Sequence, residues 1–322
     1  MKKIIKTLFS GGQQVAAAAL LALLFSATTI FISPIYLNTS LDWHLWLPNG
    51  WLMTSAQALL WALPLFLLLL VALTYGGVFL RWLARFNPLK KLSFSWSKRS
   101  VLITAAILLI FWLPWIIIYY PGSTPYDPVA QIYQIHGSGA FRPEIWEPTV
   151  DGWISNSHPI LHTLILGGFF ELGNALGSQN LGIFMYSLFQ TLVRAITFAV
   201  VCCYLMRLRT PKVFCLLTLA FFALFPAIAS SSMVTFKDHL FSPVSVIYAL
   251  LVIEIVRTRG AALKSKRFVG ALATASLLMP LLKHPGIYIV VASGICLLVI
   301  YRRYWKQFLI SLSLPIGFVY II

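Results

Sequence analysis

The chain has 322 residues, of which 60% are hydrophobic and 10% charged, with a formal net charge of +16. A soluble domain carries about a quarter charged residues, so that class is excluded. A nucleic-acid binder could share the charge, but it would not separate its basic stretches with apolar runs of about 15 to 20 residues, near the length of a bilayer span.

The basic residues are clustered. Twenty of the 24 Lys and Arg fall in Lys2/Lys3/Lys6, Arg81 to Arg99, Arg207/Arg209/Lys212, Arg257 to Arg267 and Arg302/Arg303/Lys306. The positive-inside rule places these, with the N-terminus, in the cytoplasm. Asp42, Asp127, Glu144, Glu147, Asp151 and Asp238 fall in the alternate gaps and so on the outer face. Cys202, Cys203, Cys215 and Cys296 sit in apolar runs with no metal spacing and read as small hydrophobic side chains.

In chain order, membrane segments are expected at about 14–36, 57–80, 100–119, 158–178, 181–205, 212–229, 240–257, 268–282, 286–300 and 307–322. The sum is an all-α, polytopic membrane helix bundle of nine to ten segments. Residues 1–99 hold two N-terminal helices and a basic loop; residues 100–322 form a core with a long extracytoplasmic loop at 120–157. The start MKKIIKTLFSGG imitates a signal peptide, but the apolar run from Val15 to Ile32 is long and no cleavage site follows, so an uncleaved first span is expected. Short basic loops suggest a bacterial plasma membrane, though composition alone also allows an endomembrane.

Trp43, Trp46 and Trp51 around Asp42, and Trp112, Trp115, Tyr119 and Tyr120 closing the third segment, read as interface anchors. Pro64 and Pro114 lie within spans, where neighbours can satisfy the freed carbonyls. Parity then conflicts with the count. Tyr120 outside and Arg207 inside require an odd number of crossings, yet two segments separate them. The segment at 158–178, interrupted by His158, His162, Gly167, Gly168 and Glu171, is the one expected not to cross. The apolar ending LSLPIGFVYII fits either a complete chain with a shallow end or a piece of a longer one.

Candidate chemistry gathers on the outer side. Asp127, followed by Pro128 and VAQIYQI, is placed to cap a short loop helix or to act as a general base toward an incoming hydroxyl. Glu144, Glu147 and Asp151 are either a solvated acidic stretch, one of them paired with Arg142, or hard oxygen ligands that bind a divalent metal with Asp127. His158 and His162, four apart, are headgroup-level polar residues or metal ligands. Lys237 and Asp238 open the span at 240–257: they pair with each other, or Lys237 grips a phosphate while Asp238 caps the helix. Lys283 and His284 form an outer turn with Pro285 and Gly286. The two outer lysines plus Arg142, in a region otherwise acidic, could make a phosphate site beside a carboxylate site. Arg194, mid-span, is expected to pair with Glu171 or to reach a bound anion.

The order of these features resembles the integral-membrane glycosyltransferases of the GT-C class, which include the protein O-mannosyltransferases and the lipid A aminoarabinose transferases. The resemblance rests on Asp127 in YDPVAQIYQ, His158-Pro159 in NSHPILHT, Arg194 in the next helix, Lys237-Asp238 in TFKDH, and Lys283-His284 in LKHPGIY, and covers about residues 100–300. It implies a sugar on a polyprenyl phosphate as donor, an acceptor hydroxyl on a lipid, glycan or protein, and transfer with inversion. Asp127 would then be catalytic; Lys237, Lys283, Arg194, Asp238, His158 and His284 would line the donor site. Some members of the class use a divalent metal. The alternatives are a multi-pass transporter or flippase of a lipid-linked or anionic substrate, and a noncatalytic membrane assembly protein.

Overall fold

The computed structural model describes residues 11–37, 50–85, 96–136, 158–313 and 315–317. The stretches holding Asp42, Trp43 and Trp46, and Arg142, Glu144, Glu147 and Asp151, lie outside the described residues. The chain forms two compact units, Met1–Pro88 and Leu89–Ile322. In the first, α1 (Gly12–Leu37) pairs with α2 (Gly50–Arg85), which runs through Pro64 without a break. Their buried side chains are mostly small: Ala18, Ala22 and Ser26 on α1, Thr54, Ala58 and Ala62 on α2. Small residues let helix backbones approach where lipid offers no hydrophobic drive.

The second unit holds α3 (Lys98–Ile118), α4 (Tyr126–His136), α5 (Ile160–Ala175), α6 (Gln179–Arg207), α7 (Lys212–Leu224), α8 (Pro226–Ser231), α9 (Asp238–Arg257), α10 (Lys266–Leu282), α11 (Gly286–Ile300) and the short α12 (Trp305–Phe308). Serines set three starts. The hydroxyls of Ser97, Ser178 and Ser265 accept from the backbone N–H groups of Ser100, Leu181 and Phe268, satisfying donors that the first helical turn leaves free. Among the described residues there is no strand, only a single parallel bridge between Ser123 and Val234.

Trp112 corrects one expectation. It is fully buried and packs among Leu108, Ala195, Phe198 and Met233 in the core of α3, α6 and α7. Its indole N–H donates to the Phe222 carbonyl at 2.9 Å. That carbonyl would normally accept from residue 226, which is proline and has no N–H. The indole supplies the missing donor, and the chain breaks at Phe225 between α7 and α8.

Among the described residues, four helices are long and apolar enough to cross a membrane: Leu52–Gly76, Lys98–Ile118, Gln179–Arg207 and Asp238–Arg257. A fifth arises if Gly286–Ile300 and Arg302–Gly317, bent by 114°, form one broken span. Most of the nine to ten expected segments are helices in nearly the expected places, and among the described residues four of these helices, or five with the bent pair, are long and apolar enough to cross. Ile160–Ala175 and Lys212–Leu224 are apolar and shorter. Helix α5 shows why length matters. Its Leu166 and Phe170 share one cluster with Tyr186, Leu240 and Leu282, which lie near the start of α6, the start of α9 and the end of α10. Helix α5 thus packs on one end of its neighbours instead of running their length.

Candidate functional site

The chain after α3 must turn sharply to reach that same end. Gly122 has φ +126°, and a Cβ there would lie 2.3 Å from Ser187 Oγ. Only glycine fits without displacement. The turn brings Ser123 alongside the segment after α8: Ser123 N–H donates to Met233 O at 2.9 Å, and Thr235 N–H donates to Ser123 O at 3.0 Å. From the other side, Gln190 Nε2 donates to the carbonyls of Ser232 and Val234, both at 2.7 Å, and Thr191 Oγ1 donates to Ser232 O at 3.0 Å. Ser187, Gln190, Thr191 and Arg194 follow the spacing of one helical face. A polar stripe on α6 thereby fixes two irregular segments whose backbone groups no regular element satisfies.

This seam sets the start of α4 against the start of α9. Asp127 is the second residue of α4 and does not cap it; its Oδ2 accepts from Lys237 Nζ at 3.0 Å. Lys237 occupies the N-cap position of α9 without a side-chain capping bond, and Asp238 is the first helical residue. Neither the expected Lys237–Asp238 pair nor a cap by Asp238 forms. Asp238 instead pairs with Lys283 from the end of α10, whose ammonium also lies 5.8 Å from the centre of the Phe241 ring. His284 follows in the turn closed by the Gly286 N–H to the Lys283 carbonyl. The two pairs sit at an open rim: the side chain of Lys237 is 20% exposed and that of Asp127 41%. Asp127 Oδ1 has no partner among the described residues.

His158 lies just before α5, buried, with Nδ1 unpartnered among the described residues. Burial, and after it the Lys237 charge, hold its pKa below the ordinary value; Asp127 pulls the other way and His284 adds to the lowering. His158 therefore belongs electrostatically to the same group of charges. His162 does not share its role. Its Nδ1 lies 2.9 Å from Gln131 Oε1 and its Nε2 2.7 Å from the Tyr186 hydroxyl. Gln131 Nε2 donates to Thr163 Oγ1, which donates to the Pro159 carbonyl. One donor order satisfies every link, from Tyr186 through His162, Gln131 and Thr163 to the backbone. With both ring nitrogens engaged, His162 is a fastener joining α4, α5 and α6 and is not available to a metal.

Arg194 is buried, and its partners differ from the expected Glu171. One Nη donates to Ser231 Oγ at 3.1 Å and lies 3.5 Å from His239 Nδ1, while Nε has no partner among the described residues. The guanidinium also lies 5.8 Å from the Phe198 ring centre. No carboxylate faces this cation among the described residues. His239 adjoins Asp238, so Arg194 stands behind the two rim pairs. Asp127, Lys237, Asp238, Lys283, His284, His158 and Arg194 thus converge on one end of the unit. Among the described residues no three His, Cys, Asp or Glu side chains are grouped to hold a metal ion.

Sequence reading missed Gly122, Ser123, the Ser231–Thr235 segment, Gln131, Thr163 and Tyr186. The repeat of polar residues at 187, 190, 191 and 194 in an otherwise apolar helix was the signal for the seam. Nothing in the sequence pointed to the relay beyond His162 itself.

A helical membrane protein with a cluster of carboxylates and amines at one end is the class that fold and site define. The chain belongs to a family described as "Family of unknown function (DUF6020)", whose profile matches residues 13–322 and so takes in α1 and α2. No curated protein and no solved structure matches it.

Proposed function

We propose that this protein is a GT-C-like glycosyltransferase that moves a sugar from a polyprenyl-phosphate donor to a hydroxyl of a lipid, glycan or protein at the outer face of a bacterial plasma membrane. The observation that carries the reading is the Asp127–Lys237 pair at 3.0 Å, set at an exposed rim with Lys283 beside it and the uncompensated Arg194 behind. A phosphate-leaving group needs fixed positive charge where negative charge develops. An acceptor hydroxyl needs a carboxylate within hydrogen-bond reach.

The arrangement links the two needs. The acceptor hydroxyl approaches Asp127 Oδ1, the carboxylate oxygen not engaged by Lys237. As its oxygen bonds to the anomeric carbon, the bond from that carbon to the phosphate oxygen breaks, and the acceptor proton passes to Asp127. Protonation removes the charge that held Lys237. The ammonium is then free to follow the electrons onto the departing phosphate, joined by Lys283. The donor bond is displaced from the opposite face, which gives inversion. A divalent metal in this step would call on residues outside the described part of the chain, and no step above depends on one.

The test is transfer from a radiolabelled polyprenyl-phosphate sugar by the purified full chain. Asp127→Asn, which keeps shape and removes basicity, is expected to abolish transfer while melting like the parent. Transfer by that variant at the parent rate would exclude Asp127 as the base.

A further inference from the structure

At the other end of α6 and α9 a second cluster has the opposite character. Helix α9 has 20 residues, so Glu254 lies about 24 Å from Asp238 at 1.5 Å per residue. Glu254 is 8% exposed on its side chain and accepts four bonds: from Tyr204 Oη at 2.9 Å, from Arg207 at 2.7 Å, and two from Arg257 at 2.7 Å each. One carboxylate thus holds two guanidinium groups side by side and leaves a surplus of one positive charge. Arg207 and Arg257 remain 39% and 42% exposed. Arg207 also lies 5.7 Å from the centre of the Trp96 ring, a residue type suited to the headgroup level.

These arginines form the mouth of a cavity of about 490 Å³ between α6, α9 and α10. Its walls are mostly apolar, among them Val200, Ile247, Leu250 and Phe268, with Thr258 and Ser265 also lining it. Next to it on α9, Ile253 and Val256 are exposed large hydrophobics, as expected of a lipid-facing surface. A soluble anion would use the arginines and have no use for the walls. A neutral lipid would use the walls and leave the surplus charge unanswered.

We propose that this cavity binds an anionic glycerophospholipid from the leaflet on the basic side of the protein, its phosphodiester on Arg207 and Arg257 and an acyl chain along Leu250 and Phe268. Glu254 is a positioning residue that pre-orders the two arginines, so that the headgroup meets donors already in place. The site is separate from the Asp127 rim and stands whether or not that rim transfers sugars.

The test uses the full chain purified in a neutral detergent, read by native mass spectrometry and by melting temperature as phosphatidylglycerol or phosphatidylcholine of matched chains is added. Phosphatidylglycerol should be retained and raise the melting temperature; phosphatidylcholine should do neither. Arg207→Gln should weaken phosphatidylglycerol retention roughly tenfold, the scale of one lost charged contact. Leu250→Trp, which fills the wall and leaves all four bonds of Glu254 intact, should weaken it by a similar factor. If Arg207→Gln does not fold, Leu250→Trp alone decides. Equal retention of the two lipids, or unchanged retention in the folded variants, overturns the proposal. So does inorganic phosphate raising the melting temperature as much as phosphatidylglycerol, which would assign the arginines to a soluble anion.

Discussion

Gly122 is where the site depends most on a single atom that is absent. Gly122→Ala adds a Cβ 2.3 Å from Ser187 Oγ and 3.2 Å from the Met233 carbonyl, at a φ of +126°. Holding a non-glycine residue in that backbone region costs about 1–3 kcal/mol. Forcing a methyl group into a packed site costs about 1–3 kcal/mol more. The variant should therefore lose about 2–6 kcal/mol, seen as a lower melting temperature in detergent. The second part is separable, because Ser187 Oγ has no hydrogen-bond partner among the described residues and can be removed without orphaning one. Adding Ser187→Gly should recover much of the packing cost and none of the backbone cost, less roughly 0.5–1 kcal/mol for a glycine within α6. A thermodynamic cycle over the two positions should show coupling well above the ~0.5 kcal/mol of independent sites. Additive effects, or a Gly122→Ala protein that melts like the parent, would refute the seam as the device that holds α4 against α9.

Lys237→Met should separate stability from function. The Asp127–Lys237 pair is partly exposed, so its loss should cost about 1 kcal/mol or less by melting, whereas transfer from the labelled donor should fall ~10²–10³-fold if Lys237 meets developing charge; equal small losses in both would remove its catalytic part. His158 sets a pH dependence. Its folded pKa lies below the ordinary 6.5, so below that pH the unfolded chain takes up a proton that the folded chain refuses. Stability from keeping His158 neutral is full above about pH 6.5 and is lost as the pH falls toward the folded pKa. His158→Gln should flatten the fall in melting temperature between about pH 6.5 and 5; an unchanged slope would contradict the buried neutral ring. Trp112→Phe removes the donor that stands in for Pro226 and leaves the half-buried Phe222 carbonyl without it, at a cost of up to about 1–3 kcal/mol; a melting temperature equal to the parent's would show that another donor reaches that carbonyl.

The helices were legible because apolar run length is a one-dimensional signal, and Lys98–Ile118, Gln179–Arg207 and Asp238–Arg257 follow it within about two residues. The number of crossings was legible only in part: His158, His162, Gly167, Gly168 and Glu171 marked 158–178 as the irregular segment, and α5 is shorter than the helices long enough to cross, but its packing on one end of its neighbours is not written in its composition. The charged residues of the site were legible as rarities: few charges interrupt apolar runs, and Asp127, Lys237, Asp238, Lys283 and Arg194 are among them. Their partners were not. Asp127 with Lys237 is a contact across 110 residues and Asp238 with Lys283 across 45. Sequence neighbours such as Lys237 and Asp238 compete for the same pairing on paper, and only the Ser123–Val234 seam decides it. Trp112 misled because indole is amphipathic, and the same N–H that suits an interface also suits a half-buried carbonyl.

Two buried charges on the same bundle show where binding energy is held in reserve. Glu254 is compensated by two guanidinium groups and a phenol, so burying it leaves no unmet demand of its own. Arg194 has a hydroxyl and an imidazole but no carboxylate among the described residues, and one of its donors meets nothing there. A cation in that state carries a desolvation cost that its neighbours do not offset. The cost is tolerable where an anion supplies the missing partner for part of a working cycle. Replacement by an apolar residue of similar volume should then stabilise the empty protein, as it does for other buried ions, while weakening the binding of whatever anion completes the site. Arg194→Met is therefore expected to melt at or above the parent temperature and to lose donor binding, measured directly with a labelled polyprenyl-phosphate sugar. A variant that melts lower and binds the donor as the parent does would make Arg194 a structural residue, leaving the rim lysines as the whole of the phosphate site.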